Sequence, residues 1–241
     1  MVQQVFAALK KHNLEEVTEM TIVDDNSNDG TVQKVEELKK SYPVDILVRT
    51  TEKGLSSAVL RGFELSRGEY LLCMDADLQH PPEKVPDMLL AFREKDVEFV
   101  LGTRYGGKAF AVDKDWPWYR KVISQGARAL ARPLTPLTDP MSGFFAIRKD
   151  VLQRAKNINN VGFKIALELY VKSRVKKHVE VPIFFGLRVA GESKLTGKVM
   201  LHYTQHLLEL YPFIYQGFYV ILLFLILLFL FIFYKLIINF I

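Results

Sequence analysis

Cysteine is almost missing: among 241 residues only Cys73 carries a thiol. No internal disulfide can form, and the chain suits a reducing compartment. Cys73 falls in an expected strand, where it serves as a small packing residue rather than a reactive one. Also absent are a dinucleotide G-x-G-x-x-G fingerprint, a phosphate-binding P-loop, a paired-cysteine zinc spacing and a nucleophile elbow. Those absences remove the usual readings as dehydrogenase, P-loop ATPase, zinc module or serine hydrolase. Neither sign of charge dominates, since 32 Lys and Arg stand against 27 Asp and Glu, a formal net charge of +5. Basic and aromatic residues are not interleaved on any recognisable binding module, so nucleic acid is not an expected partner. The modest excess fits an anionic membrane surface or a phosphorylated substrate better. Met1 to Leu14 holds no unbroken apolar run, and no signal peptide is expected there.

One long apolar run is present. Leu210 to Tyr234 is 25 residues without a charge, and FYVILLFLILLFLFIFY, Phe218 to Tyr234, is wholly apolar or aromatic. At about 1.5 Å per residue such a helix covers roughly 30 Å of hydrocarbon. A buried soluble helix keeps a polar face, and this stretch has none. The expected organisation is therefore a domain over residues 1–211 and a transmembrane anchor over 212–241. Only Lys235 lies beyond the span, whereas Lys194, Lys198 and many other basic residues precede it. By that asymmetry the large N-terminal part faces the cytoplasm, with Tyr211, Tyr215 and Tyr219 at the near interface and Tyr234 at the far one.

Within the first 211 residues apolar runs alternate with helical patterns, as in βα units. A short helix around Val5, Phe6 and Leu9 leads to a strand at Met20–Val23. Thr31 is placed to cap a helix with Val35 and Leu38 inward. Further strands are expected at Val44–Val48, Tyr70–Met74 and Glu98–Leu101, with helices over Ser56–Leu65 and from the Pro81-Pro82 break to Lys95. The fold class is α/β, a mostly parallel Rossmann-like sheet with flanking helices, whose ligands lie beyond the carboxyl ends of the strands.

Two acidic clusters occupy such ends, Asp24-Asp25 and Asp75-Ala76-Asp77, and are expected to share one cleft. In extended chain Asp75 and Asp77 point to one side, so a cation between them is expected. With the amide oxygen of Gln79 they form a hard-oxygen set suited to Mg²⁺ or Mn²⁺, whose shell is completed by water and substrate phosphates. Taken alone, an Asp-x-Asp belongs as readily to a solvated turn. Here it follows a buried strand and is answered downstream by Arg104, Arg120, Arg188 and Lys194.

The stretches TIVDDNSNDGT, EKGLSSAVLRGFELSRGEYLLCMDADLQHPPE, LGTRY, DPMSGFFAIRKDVL, GFKIALELY and RVAGESKLTG resemble the family-2 inverting glycosyltransferases, specifically the branch that loads mannose onto dolichyl phosphate. The resemblance runs from about Thr21 to Tyr211. It implies a GT-A fold and transfer of mannose from GDP-mannose to dolichyl phosphate at the endoplasmic reticulum membrane, without an obligatory protein partner. Carried over by position, it assigns Val23 and Asp25 to the guanine end. Asp75, Ala76, Asp77 and Gln79 go to metal and diphosphate, and Arg104, Arg188 and Lys194 to phosphate and sugar. Relatives begin with a strand carrying a Val-Pro-x-Tyr-Asn-Glu type motif, and this sequence starts in the helix after it. A UDP-glucose-dependent glucosyltransferase and a non-catalytic nucleotide-binding subunit stay open as alternatives.

On the acceptor side, a helix over residues 116–131 aligns Arg120, Ser124 and Arg128 at i, i+4 and i+8, opposite an apolar stripe of Tyr119, Val122, Ile123 and Leu130. Guanidinium, hydroxyl and guanidinium in a row suit a phosphate. The resemblance gives Arg120 and Ser124, with Arg104, to the lipid phosphate, and makes Asp77, Arg104, Arg120 and Ser124 the expected catalytic set. A phosphomonoester, with a second pKa of about 6, is already anionic near neutrality and needs no general base. Asp139 is accordingly expected to orient rather than to abstract a proton. The loop from Arg188 to Gly197 is expected to close over the nucleotide.

Overall fold

The computed structural model describes residues 1–106, 118–159, 164–185 and 197–240. The first helix, α1 (Val2–Lys10), buries Val2, Val5, Phe6 and Leu9 along one stripe. Strand β1 (Met20–Asp24) pairs in parallel with β2 (Val44–Val48) through α2 (Thr31–Leu38). Thr31 does not cap α2. The carboxylate of Asp29 does, accepting the Thr31 N–H at 3.0 Å and its hydroxyl at 2.7 Å. α3 (Leu55–Leu65) then packs on β1, with Gly62 placed where a Cβ would stand 3.2 Å from Val23 Cγ2.

The second sheet is where the structure departs from a mostly parallel expectation. It comprises β3 (Tyr70–Cys73), β4 (Phe99–Thr103), β5 (Phe145–Arg148) and β6 (His178–Pro182), in the spatial order β3-β5-β4-β6. β5 runs antiparallel to both β3 and β4, and only β4 and β6 are parallel. β5 is a central strand, and its Phe145, Ala146 and Ile147 are fully buried. A strand that apolar is most stable with neighbours on both edges, and it inserts between two strands formed much earlier in the chain. Gly102 on β4 permits the approach, because a Cβ there would stand 2.6 Å from the Phe144 ring. Among the described residues β1–β2 and the four-stranded sheet are separate sheets.

The helix expected from Pro82 to Lys95 is broken into a 3₁₀ turn, the six-residue α4 (Val85–Leu90) and a second 3₁₀ turn. Pro86 in the first turn of α4 removes the N–H that would continue the preceding segment. α5 (Trp118–Ala131) matches the helix expected over 116–131. The short α6 (Lys149–Leu152) and α7 (Ile165–Lys172) follow β5. One core lies beneath α1 and α4, with Val100 and Phe144 in it. A second holds Phe99, Phe145 and Ile147 against α3 and α7. A third, with Ala131, Leu167, Tyr203 and Leu210, joins α5, α7 and α8 (Gly197–Ile214).

The C-terminal apolar run is not one continuous helix. α8 ends at Ile214, and α9 (Phe218–Phe240) restarts after Gly217, whose φ of +79° only glycine adopts readily. Among the described residues no single helix is long and apolar enough to cross a membrane. Met200–Ile214 and Phe218–Phe233 together reach that length, bent by 118°. The uncharged run thus contains a corner that hydropathy does not register. Tyr211 and Tyr215 turn their hydroxyls to the C-terminal end of α5, donating to Leu130 O at 2.7 Å and Pro133 O at 2.6 Å.

Candidate active site

The first acidic pair divides its work. Asp24 is buried, and its Oδ1 accepts the Ser27 N–H at 2.7 Å, so it builds the turn after β1. Asp25 is gripped by a residue that sequence reasoning passed over, the buried Arg49 just beyond β2. Arg49 Nε donates to Asp25 Oδ1 at 2.7 Å, and Nη2 contacts the same oxygen. Nη1 donates to Ser57 Oγ at 2.8 Å and Nη2 to Gly54 O at 2.9 Å. The Gly54 N–H closes the ring by donating to Asp25 Oδ2 at 3.0 Å, from a φ of +127° that excludes a side chain. Asp25 is therefore a pre-oriented carboxylate beside the half-buried Val23.

The turn after β3 carries the second pair. The Asp75 N–H donates to His80 Nδ1 at 3.0 Å, and the Gln79 N–H donates to Asp77 Oδ1 at 3.1 Å around Leu78 at φ +63°. Ala76 is exposed and Gln79 buried. His80 is stacked on Phe144, with ring centroids 5.2 Å apart. Burial holds its imidazole below the ordinary value although Asp75 and Asp77 pull the other way. With Nδ1 accepting, the proton of the neutral ring sits on Nε2. Asp75 lines a small recess with Leu55, Val59, Cys73, Ser142, Gly143, Ile165 and Ala166. Leu55 is the neighbour of Gly54, so the first turn of α3 touches both acidic corners.

Two cations lie close to one another and to Asp139. Arg104, buried at the end of β4, forms a bidentate pair with fully buried Asp139. Nε donates to Oδ2 at 2.6 Å, Nη2 to Oδ1 at 2.7 Å, and the Arg104 N–H to Oδ2 at 3.2 Å. Both oxygens of Asp139 are therefore committed. Lys164, not singled out in the sequence, donates from Nζ to Met141 O at 2.9 Å. Burial, with Arg104 nearby, depresses its ammonium to about 8 against the opposing pull of Asp139 and Asp75. Its signal was available only as a lone cation at the start of an apolar helix.

The loop holding Asp139 also fixes the acceptor helix. Thr138 donates its N–H to Glu180 Oε1 at 2.6 Å, and its hydroxyl lies 2.7 Å from that of Thr103. Its carbonyl accepts Arg128 Nε at 2.6 Å, and the Arg128 guanidinium lies 4.2 Å over the Tyr105 ring. Arg128 thus anchors α5 instead of extending the phosphate row. Ser124 lies near the Tyr105 hydroxyl, whose pKa burial and Asp139 raise. Trp118, Tyr119, Val122 and Leu130 are exposed, so the expected apolar stripe is not core. The side chain of Arg120 and the whole of Arg188 and Lys194 lie outside the described residues.

The donor set fits a hard divalent cation. Asp75 and Asp77 offer carboxylate oxygens and Gln79 an amide oxygen, and Gly143 lies beside the Asp75 carboxylate, where a Cβ would stand 3.9 Å from both oxygens. Among the described residues no cluster of three or more His, Cys, Asp or Glu is assembled. Two carboxylates without a third suit a cation that shares its shell with phosphates.

An α/β domain of this kind, with its acidic turn at a strand end, is GT-A-like. Glucosyl-3-phosphoglycerate synthase of Mycobacterium tuberculosis in complex with phosphoglyceric acid superposes with a TM-score of 0.60 at 16% identity, covering 88% of this chain and 74% of the synthase. The same synthase with Mn²⁺, UDP and glucosyl-3-phosphoglycerate gives 0.58 at 16% identity, again over 88% and 74%. The model of Glycosyl transferase family 2 matches residues 1–155. The chain belongs to that family. A dolichol-phosphate mannosyltransferase of Mycosarcoma maydis is 59% identical over 200 residues, 81% of this chain and 67% of that protein. The Saccharomyces cerevisiae protein of that name is 53% identical over 204 residues, 81% and 75% respectively. The one from Pyrococcus furiosus is 46% identical over 198 residues, 80% of this chain and 54% of its own length.

Proposed function

We propose that this chain transfers mannose from GDP-mannose to dolichyl phosphate with inversion, giving a β-linked mannosyl phosphate. Identities of 46–59% over four-fifths of the chain support the activity. The observation that carries the chemistry is the Arg104–Asp139 pair. A hydroxyl acceptor needs a base, but both Asp139 oxygens accept from Arg104 and the His80 ring is buried with Nδ1 already accepting. A phosphomonoester acceptor is anionic before it arrives and needs neither.

In this reading Val23 and the Arg49-held Asp25 receive the guanine end. Asp75, Asp77 and Gln79, with Ala76 between them, hold Mg²⁺ or Mn²⁺ against the diphosphate. When bound, that ion stabilises the charge on the departing GDP. Lys164 and Arg104, which interact electrostatically with each other, counter the donor phosphates. Arg104, Arg120 and Ser124 orient the lipid phosphate toward the anomeric carbon, with Arg188 and Lys194 completing phosphate and sugar recognition. α9, apolar on all sides with its described side chains largely exposed, lies in the endoplasmic reticulum membrane, and the catalytic part stays on the cytoplasmic side with the basic residues.

The deciding experiment supplies purified full-length protein with dolichyl phosphate, Mn²⁺ and labelled GDP-mannose or UDP-glucose. Mannosyl-lipid formation supports the reading, and preferential glucosyl transfer overturns it.

Lys164 adds a pH signature. In the free protein its ammonium loses a proton as pH rises through about 8, instead of near the ordinary lysine value, and a cation beside Asp75 pushes that midpoint lower still. Because kcat/KM reports the free enzyme, it should fall above about pH 8 for GDP-mannose. Lys164→Arg, charged throughout, is expected to keep the plateau to higher pH. An unchanged alkaline limb in that variant removes Lys164 from donor binding.

A further inference from the structure

The reaction makes no use of the most deeply buried carboxylate outside the site. Glu168 on α7 is fully buried, yet polar groups from three separate segments meet it, two as hydrogen bonds at Oε1 and one at Oε2 as a close ion-pair contact without hydrogen-bond alignment. Lys172, one turn on, donates from Nζ to Oε1 at 2.6 Å. The Asn159 N–H from the preceding loop donates to the same oxygen at 2.6 Å, and His206 Nε2 on α8 lies 3.2 Å from Oε2. Lys172 is fixed in turn by the Asn157 carbonyl at 2.5 Å. Burial pushes the Glu168 carboxyl up, but His206, Lys172 and the Asn159 amide outweigh it and hold the group below the usual carboxylate range. An isolated stability role is a poor reason for such a cluster, since apolar side chains of the same volume fill a helix interface at least as well.

What the cluster connects gives a better reason. Glu168 stands one turn beyond Lys164, whose ammonium is held by the Met141 carbonyl and interacts electrostatically with Arg104, Asp139 and Asp75. His206 belongs to the buried face of α8, with Tyr203, Leu207 and Leu210. That face also reaches the acceptor helix, for Tyr203 Oη donates to Ala127 O and Tyr211 Oη to Leu130 O, both at 2.7 Å. The apolar contacts repeat the pattern: Ala131, Leu167, Val171, Tyr203 and Leu207 share one cluster with Met141, whose carbonyl holds Lys164. α8 therefore carries hydrogen bonds to α5 and an ion pair to α7.

We infer that Glu168 and His206 are positioning residues that fasten α8 to α7 and thereby set the acceptor helix α5 at its working distance from the donor recess. This rests on the mannosyl-transfer reading and deepens it, because the same strut continues into the apolar helix α9. Lipid delivery and donor geometry are then mechanically linked through α8. An apolar contact would tolerate sliding of one helix over another, whereas a buried carboxylate facing an imidazole across the helix interface favours one register.

The test uses full-length protein in detergent with dolichyl phosphate and GDP-mannose. Wild-type mannosyl transfer is measured first, and its absence counts against the activity itself. His206→Leu removes the polar group that faces Glu168 Oε2 at 3.2 Å, and His206→Gln presents an amide N–H near the position of Nε2. His206→Leu should raise KM for dolichyl phosphate about tenfold with KM for GDP-mannose within twofold of wild type, and His206→Gln should restore most of it. Tyr203→Phe, which unlinks α8 from Ala127 without exposing a buried charge, should raise KM for dolichyl phosphate about threefold and decides the matter if His206→Leu does not fold. Equal rises in both KM values, or unchanged values in a folded His206→Leu or Tyr203→Phe protein, overturn the inference.

Discussion

Asp77→Ala is expected to abolish mannosyl transfer while the protein stays folded. The carboxylate is half-buried on a turn, and its backbone bond to Gln79 N–H is worth about 0.5–1.5 kcal/mol, a loss the domain survives. Its chemical loss is larger. Stabilising a departing nucleoside diphosphate through a bound divalent ion is worth several kcal/mol, and about 4 kcal/mol is three decades of rate. We therefore expect a fall of about a thousandfold in labelled mannose transferred, with a melting temperature within about 5 °C of wild type. Asp75→Asn should behave similarly but with weaker GDP binding, because Asp75 faces the recess lined by Ser142 and Gly143. A folded Asp77→Ala protein with wild-type transfer would support a nucleotide-binding subunit in place of an enzyme.

How much of this was legible in the sequence depended on the distance over which the information acts. The strands up to β4 and the helices α1 to α3 follow from short periodic runs bounded by turn residues, whereas the break by Pro86 before β4 does not, and the C-terminal limit of α5 is legible because its amphipathic pattern is local. β5 and β6 were not legible. Each is a strand of four or five residues whose partners lie far away in sequence, and nothing in Phe145-Ala146-Ile147-Arg148 states that it will insert antiparallel between Tyr70–Cys73 and Phe99–Thr103. The uncharged run at the C-terminus has the opposite problem. Hydropathy sums over it, while the break is made by one glycine at positive φ.

The site shows the same division. Asp25, Asp75 and Asp77 declare themselves by standing at the ends of apolar runs. Arg49 does not, since its meaning comes from a contact with a residue 24 positions earlier. Lys164 looks in sequence like an ordinary solvated cation at a helix start, and only tertiary packing encloses it near Arg104 and Asp139. Arg128 was legible as part of a basic row, but its partner, the Thr138 carbonyl, depends on how the loop is tied to Glu180. Carboxylates at strand ends are thus readable one by one, whereas the cations that complete the site become readable only in pairs.

That pairing makes Asp139 the residue whose removal should cost the fold most. Asp139→Ala leaves the Arg104 guanidinium buried without the two oxygens that now accept its Nε and Nη2. Stripping one partner from a buried ion pair costs about 3–5 kcal/mol, and in a domain of this size each kcal/mol lowers the melting temperature by about 2–4 °C. A drop of about 10 °C is expected by calorimetry or by loss of near-ultraviolet dichroism on heating. Asp139→Asn separates structure from chemistry, because one amide oxygen still accepts from Arg104 and the volume is unchanged. If Asp139 only holds Arg104, the Asn variant should retain transfer within about tenfold, with the acidic limb of its kcat profile where the wild type has it, since that limb then belongs to the acceptor phosphate with its pKa near 6. A general base predicts otherwise: loss of several decades at an unchanged melting temperature, because proton abstraction contributes about 10²–10⁴-fold and an amide cannot perform it. The doubly occupied carboxylate places the expectation on the first outcome, and a stable, inactive Asp139→Asn protein would refute both the orienting role and the base-free mechanism built on it.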